Sequence, residues 1–125
     1  MKDLLVKKTY HTPQVNFCVK TGIFSIEGRS IPENPVVFYE PLIKWLQEYF
    51  KAPHELTQIN IKLDYINSGS SKALLTMLKV VKPFFDKGIH CHINWHFEED
   101  DESIRDLGKH FQAALHMPFN LVELF

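Results

Sequence analysis

Three histidines in the second half of the chain belong to the residue type that most often binds metal ions. His90, His92 and His96 are spaced to share one face of a β-strand, with Asn94 between them. Imidazoles two residues apart on a strand suit zinc or copper. The spacing fixes no carboxylate or cysteine ligand beside them, so both a metal site and a solvated sheet face that tolerates histidine stay open.

Acidic residues follow this strand in a continuous run. Residues 98–102 read Glu-Glu-Asp-Asp-Glu, and Asp106 lies beyond them. The run lacks the alternating ligands and central glycine of a calcium-binding loop. Negative charge is also favoured where a helix starts. The run therefore indicates a loop and a helix start, and it does not distinguish these from paired catalytic carboxylates.

Motifs of common catalytic and nucleotide-binding sites are absent. A Ser-His-acid triad is compositionally possible, but the chain has no Gly-x-Ser-x-Gly turn. It has neither a Gly-x-Gly-x-x-Gly segment nor a P-loop, and it contains only five glycines. The sequence therefore carries no signature of these catalytic or nucleotide-binding classes.

The segment 64–72 contains the most informative cluster of small polar residues. It reads Asp-Tyr-Ile-Asn-Ser-Gly-Ser-Ser-Lys and joins a strand to a helix. Hydroxyl side chains there can cap helix amides, and Gly69 permits unusual backbone angles. The functional alternative is a phosphoacceptor, because a phosphate on Ser68 would add about −1.5 to −2 charges at the positive end of a helix. Asp64 would oppose that charge, and Lys72 would partly offset it.

A second unusual segment, residues 28–35, is polar and contains two prolines. It reads Gly-Arg-Ser-Ile-Pro-Glu-Asn-Pro. One interpretation is a rigid connection in which Glu33 and Asn34 help to start a helix. The alternative is a surface loop for recognition, since such loops often carry binding contacts.

Strands are predicted where apolar and polar residues alternate. The segments are Val15–Lys20 and Phe24–Glu27, which Gly22 joins into a hairpin, then Gln58–Tyr65, His90–Phe97 and a short edge strand over Phe119–Phe125. Apolar residues at helical spacing predict helices from about Ser70 to Asp86 and from about Asp101 to His116. Before them we expect a short turn from about Pro35 and a helix from about Pro41 to Phe50, because Pro41 lacks the amide that a helix interior needs.

These elements predict one α/β domain over residues 1–125. Helical crossovers make the later strands parallel, and the opening hairpin makes the sheet mixed. The central strands are apolar on one face only, whereas a sheet covered on both faces is apolar on both. We expect a two-layer sandwich with a mixed sheet of four to five strands and three helices on one face.

Composition limits the classes of function. The chain has 125 residues, 14 Lys plus Arg against 15 Asp plus Glu, and 45% hydrophobic residues. That balance argues against a strongly basic nucleic-acid binder. Cys18 and Cys91 do not make a disulfide framework. There is no signal-peptide core and no apolar run long enough for a membrane helix, so we expect a cytoplasmic protein.

Three groups of residues follow one another along the chain. They are Gly28-Arg29-Ser30-Ile31-Pro32-Glu33-Asn34 with Phe38, Tyr39 and Trp45; Tyr65-Ile66-Asn67-Ser68 with Ser70, Ser71 and Lys72; and Trp95-His96-Phe97 with Asp100, Asp101 and Gly108. In this combination the sequence resembles the SiaC family of bacterial regulatory phosphoproteins. The resemblance covers roughly residues 12–119.

The resemblance implies a fold similar to anti-sigma-factor antagonist (STAS-like) domains, which carry a phosphoacceptor at a helix start after a central strand. In the SiaC family a dedicated kinase phosphorylates a Thr or Ser that follows Tyr-x-Asn, and a PP2C-type phosphatase removes the phosphate. The unmodified form activates a diguanylate cyclase, which links the switch to cyclic-di-GMP and biofilm behaviour. By this likeness Ser68 is the acceptor, with Ser70 as the alternative, and the surroundings of the site are Tyr65, Asn67, Gly69, Ser70, Ser71 and Lys72.

We therefore expect a non-enzymatic regulatory phosphoprotein without a cofactor or metal. Its expected partners are a protein kinase, a PP2C-type phosphatase and an effector such as a diguanylate cyclase, with neither nucleic acid nor membrane. Residues expected near the partner surface are Arg29, Ser30, Pro32, Glu33 and Asn34. Two other classes stay open: a small metal-dependent enzyme using the three histidines, and a ligand-binding module with a pocket between sheet and helices.

Overall fold

A six-stranded mixed sheet forms one layer of the protein, and helices form the other. The structure is a computed structural model that describes residues 1–125. In chain order its elements are β1 (Leu4–Val6), β2 (Gln14–Cys18), β3 (Ile23–Ser30), α1 (Pro35–Tyr49), β4 (Thr57–Ile66), α2 (Ser68–Lys79), α3 (Lys82–Asp86), β5 (Cys91–Glu98), α4 (Glu102–Leu115) and β6 (Phe119–Leu124).

The strands lie in the sheet in the same order as in the chain. β1, β2 and β3 pair antiparallel, while β3 through β6 pair parallel. Each parallel step in one direction requires a crossover, and crossovers of this kind are almost always right-handed. Successive right-handed crossovers in one direction place their helices on the same face, which produces the two layers.

The core lies between this sheet face and the helices. On β4, the buried residues Ile59, Ile61 and Leu63 alternate with partly exposed polar ones, as the alternation predicts. Burying these apolar side chains is the main stabilising term of such a sandwich. Trp95 on β5 is fully buried, and its indole Nε1 donates to the carbonyl of Ile104 on α4 at 2.8 Å.

The opposite sheet face carries a row of small polar side chains. In register across β2 to β6 these are Asn16, Ser25, Asn60, Asn94 and Asn120. Asn94 donates to Asn60 Oδ1 at 2.7 Å, and Asn120 donates to Asn94 Oδ1 at 2.8 Å. These bonds link the side-chain amides of neighbouring strands across a polar face that no helix covers.

The structure corrects three details of the expected fold. The sheet has six strands rather than four to five, because the three-residue strand β1 is too short for alternation to reveal. Helix α1 runs through Pro41 rather than starting there. The carbonyl freed at Val37 lies on an exposed turn where water can bind it. The long second helix divides into α2 and α3, since Pro83 supplies no amide to continue the first.

Candidate functional site

Ser68 is the first residue of α2 and lies where β4 ends. Asn67 is the helix cap, and its Oδ1 accepts a hydrogen bond from the amide of Ser70 at 2.9 Å. The amide of Asn67 itself donates to the carbonyl of Ser30 at 3.4 Å. The amides of Ser68 and Gly69 have no acceptor within the protein. This helix start therefore presents two free donors beside an exposed hydroxyl.

The serines of this segment differ sharply in accessibility. Ser68 is exposed, Ser71 is half-buried, and Ser70 is 0% exposed with its Oγ unpaired. The Ser68 side chain is therefore accessible without any movement of the helix, whereas that of Ser70 is not. Gly69 is also exposed and lies against α1, since a Cβ there would be 3.4 Å from Pro35 Cγ.

A cleft of about 370 Å³ opens on one side of Ser68. It lies between the end of β4 and the starts of α2 and α4, and its lining residues are Asp64, Tyr65, Ile66, Asn67, Ser68, Ser71, Asp101, Ser103, Ile104 and Leu107. Asp101 caps α4 by accepting from the amide of Ile104 at 3.0 Å. The cleft is lined by two carboxylates and by no basic side chain.

A second cleft, of about 340 Å³, lies beside Ser68 between α2 and α4 and shares Ser68, Ser71 and Leu107 with the first. Its lining residues are Ser68, Ser71, Lys72, Leu75, Leu107, His110 and Phe111. Lys72 and His110 are both exposed. Ser68 thus lines both an acidic cleft and one that contains the basic side chains Lys72 and His110.

The predicted partner loop is only partly accessible. Glu33 and Asn34 are exposed, and Asn34 also caps α1 by accepting from the amide of Val37 at 3.2 Å. Ser30 and Pro32 are buried, so they are not available to a partner in this conformation. Ser30 and Pro32 therefore lie beneath the surface of this loop, and their place near a partner stays a prediction.

The buried hydroxyl of Ser30 forms a hydrogen bond with Tyr39 on α1. The two oxygens are 2.7 Å apart. Burial raises the pKa of Tyr39 to about 12, although the bond to Ser30 partly opposes that rise. The pair connects strand to helix beside the site and stays neutral at physiological pH.

Arg29, the remaining residue of that loop, is half-buried at the end of β3. Its guanidinium carbon lies 4.5 Å from the ring centroid of Tyr10 and 5.9 Å from that of Tyr65. The structure therefore joins two predicted site residues, Arg29 and Tyr65, and adds Tyr10, which sequence reasoning did not identify.

The histidines are not arranged as a metal site. His90 precedes β5, and Asn94, whose side chain belongs to the amide row, separates His92 from His96. The structure contains no group of three or more His, Cys, Asp or Glu side chains placed to hold a metal ion. Burial and the nearby charge of Lys62 lower the pKa of His96.

Sequence reasoning missed the contribution of α4 to the site. Asp101, Ser103, Leu107 and His110 line the two clefts beside Ser68. The available signal was topological: carboxyl ends of neighbouring parallel strands meet at one sheet edge, so the helix after β5 starts beside the helix after β4. Tyr10 had no comparable signal, because its position depends on a long-range contact.

No helix of the protein combines the length and apolar character needed to cross a membrane.

Comparison with known proteins identifies relatives along almost the whole chain. The family model described as SiaC family regulatory phosphoprotein matches residues 6–124. An uncharacterized protein of Pseudomonas aeruginosa (strain UCBPP-PA14) is 25% identical over 119 residues, covering 95% of this chain and 94% of that protein.

Solved structures share the fold. Apo-SiaC from Pseudomonas aeruginosa is similar with a TM-score of 0.88 at 24% identity, over 98% of this chain and 99% of that one. A second structure contains the diguanylate cyclase SiaD in complex with its activator SiaC, also from Pseudomonas aeruginosa. Its matching chain gives a TM-score of 0.90 at 24% identity, over 98% of this chain and 100% of that one.

Proposed function

Because this chain belongs to the SiaC family of regulatory phosphoproteins, we propose that it is a non-enzymatic switch that binds other proteins and is controlled by phosphorylation of Ser68. The observation that carries this proposal is the contrast within one helix turn: Ser68 is exposed at the start of α2, whereas Ser70 is fully buried. Ser68 also follows Tyr-x-Asn, the pattern in which the family places its acceptor.

The modification needs a kinase and a phosphatase as partners. In the kinase step, Ser68 Oγ forms a bond to the γ-phosphorus of ATP as the bond to the ADP oxygen breaks, and the hydroxyl proton passes to a base on the kinase. A PP2C-type phosphatase would reverse the switch by hydrolysis. The proposed likeness to STAS-like domains concerns one feature: the phosphoacceptor lies at the start of a helix that follows a central strand.

The effector we propose is a diguanylate cyclase, which would link this chain to cyclic-di-GMP and biofilm regulation. Support comes from the similar SiaC of Pseudomonas aeruginosa, which is the activator of the cyclase SiaD in their complex. The exposed surface around Ser68, with two clefts that separate α2 from its neighbours, offers room for a partner segment.

The charges around Ser68 indicate whether phosphorylation strengthens or weakens effector binding. A phosphate on Ser68 brings about −1.5 to −2 charges, beside a cleft lined by Asp64 and Asp101 and by no basic residue. While the site is exposed to solvent, that charge can be accommodated by the free amides at the helix start and by Lys72 in the second cleft. Once a partner covers the site, the phosphate loses its hydration, and an unpaired buried charge makes the free energy of binding less favourable. Phosphorylation should therefore weaken effector binding without unfolding the domain.

The direct test is incubation with the cognate kinase and ATP, followed by peptide mass spectrometry. We expect one phosphate, located on Ser68, that is absent from Ser68→Ala and retained in Ser71→Ala. Phosphate that persists in Ser68→Ala, or none in the wild-type chain, would contradict the assignment. A pull-down then compares Ser68→Ala, which should retain the effector, with Ser68→Asp, which should lose it.

A further inference from the structure

Arg29 is held in place by aromatic rings and has no anionic partner. Its guanidinium lies over Tyr10 and, at a longer distance, over Tyr65. Its side chain takes part in no ion pair or hydrogen bond of the protein, and its Nε is buried without an acceptor. The other arginine, Arg105, is paired with Asp106 at 3.2 Å.

An arrangement of this kind is unfavourable in the isolated protein. A buried donor without an acceptor loses hydration and gains nothing in return. The flanking rings cover part of the half-buried guanidinium, and this partial removal from water strengthens its attraction for any anion that arrives. The terminal nitrogens of Arg29 are the donors left for such an anion, and the Lys8 side chain at the same end of β3, packed over Gly28, adds a second positive charge.

We propose that Arg29, Tyr10 and Tyr65 bind a carboxylate side chain on an acidic segment of the protein partner. A planar guanidinium matches a planar carboxylate through two parallel hydrogen bonds. Tyr10 is 69% exposed and Tyr65 is 52% exposed, so both rings offer flat contact area of the type enriched at protein interfaces.

The position of this cluster favours a partner that also touches the switch. Residue Ser30, directly after Arg29, accepts through its carbonyl from the amide of Asn67, which precedes Ser68. Tyr65 belongs both to this cluster and to the lining of the acidic cleft beside Ser68. The proposal rests on the partner-binding function proposed above, and it adds the chemistry by which the partner is recognised.

Nuclear magnetic resonance on the isolated chain tests this directly. The protein has only Arg29 and Arg105, so a proton–nitrogen spectrum of arginine Nε groups contains two signals of interest. Three probes are titrated into the protein at the same constant ionic strength: a capped tetraglutamate peptide, a capped tetraserine peptide and inorganic phosphate. We expect tetraglutamate to shift the Arg29 signal saturably, with the Arg105 signal and the tetraserine titration unchanged.

Each other outcome overturns the proposal. A response to phosphate alone assigns the site to a different anion, equal shifts of both arginines indicate non-specific charge attraction, and no response removes the site. Arg29→Lys should abolish the peptide-induced shifts of the Tyr10 and Tyr65 ring signals, while the matched Arg105→Lys variant keeps them. Phosphorylation of Ser68 in Arg29→Lys is measured separately, so a failure of the switch is distinguished from a failure of this contact.

Discussion

Gly108 lies at the closest approach between α4 and the sheet. A Cβ at this position would be 2.5 Å from Trp95 Cδ1 and 2.7 Å from Trp95 Nε1. The indole is fully buried and hydrogen-bonded to α4, so it has no free space into which to turn. Gly108→Ala should therefore destabilise the protein, although alanine is ordinarily the better helix residue.

The magnitude follows from three terms. Replacing glycine by alanine inside a helix gains about 1 kcal/mol from backbone propensity. Forcing a methyl group into a filled core costs about 1–3 kcal/mol, and losing the Trp95 to Ile104 hydrogen bond costs about 1 kcal/mol more. The net expectation is a loss of about 1–3 kcal/mol, which corresponds to a fall in Tm of roughly 4–12 °C for a chain of this size.

Urea unfolding followed by circular dichroism measures this loss. Gly69→Ala is the matched control, because its Cβ would be 3.4 Å from Pro35 Cγ, an ordinary contact, so it should not destabilise the protein and should gain at most about 1 kcal/mol from helix propensity. A Gly108→Ala variant as stable as the wild type, or more stable, would refute the reasoning that Trp95 fills the space above this glycine.

Three further predictions concern Asn67, Tyr39 and His96. Asn67→Ala should lower stability by about 1 kcal/mol in urea unfolding, because the amide of Ser70 loses its cap, and an unchanged midpoint would contradict that role. Tyr39→Phe should cost about 1–3 kcal/mol by stranding the buried Ser30 hydroxyl, and adding Ser30→Ala should recover part of the loss in a double-mutant cycle. Burial, the largest cause, and a neighbouring positive charge lower the pKa of His96 below its ordinary value of 6.5. The unfolded chain then binds more protons, so stability is complete above pH 6.5 and declines as pH falls below it; His96→Gln should reduce that decline in pH-dependent melting curves, and parallel curves would exclude the effect.

Most of the architecture was predictable because one face of the sheet is buried and the other is not. Strict alternation over Gln58–Tyr65 locates a strand within a residue or two of the observed Thr57–Ile66. Proline gave less reliable signals: Pro41 lies inside α1, while Pro83 ends a helix that the apolar spacing alone would continue. A proline's effect depends on whether the freed carbonyl can find water, and exposure is a tertiary property.

The site was predictable where it is local and not where it depends on distant segments. The position of Ser68 at a helix start follows from residue type and order, whereas the capping side chain is Asn67 rather than one of the expected hydroxyl residues. The burial of the Ser30 side chain could not be inferred, because its hydrogen-bond partner Tyr39 lies on another element, nine residues away. The association of Tyr10 with Arg29 likewise needs the register of the first strands, which short segments do not specify.

Helix geometry explains how one segment separates a core serine from a surface serine. Ser68 and Ser70 are two positions apart on α2, and a step of two residues turns a helix through about 200°. When Ser70 faces the core, Ser68 must therefore face solvent, as their burial shows. Because Asn67 supplies the cap, the Ser68 hydroxyl makes no hydrogen bond that the helix needs. A charge added at Ser68 can thus alter the surface while the helix start keeps its own stabilising contact, which is the separation that a binding switch requires.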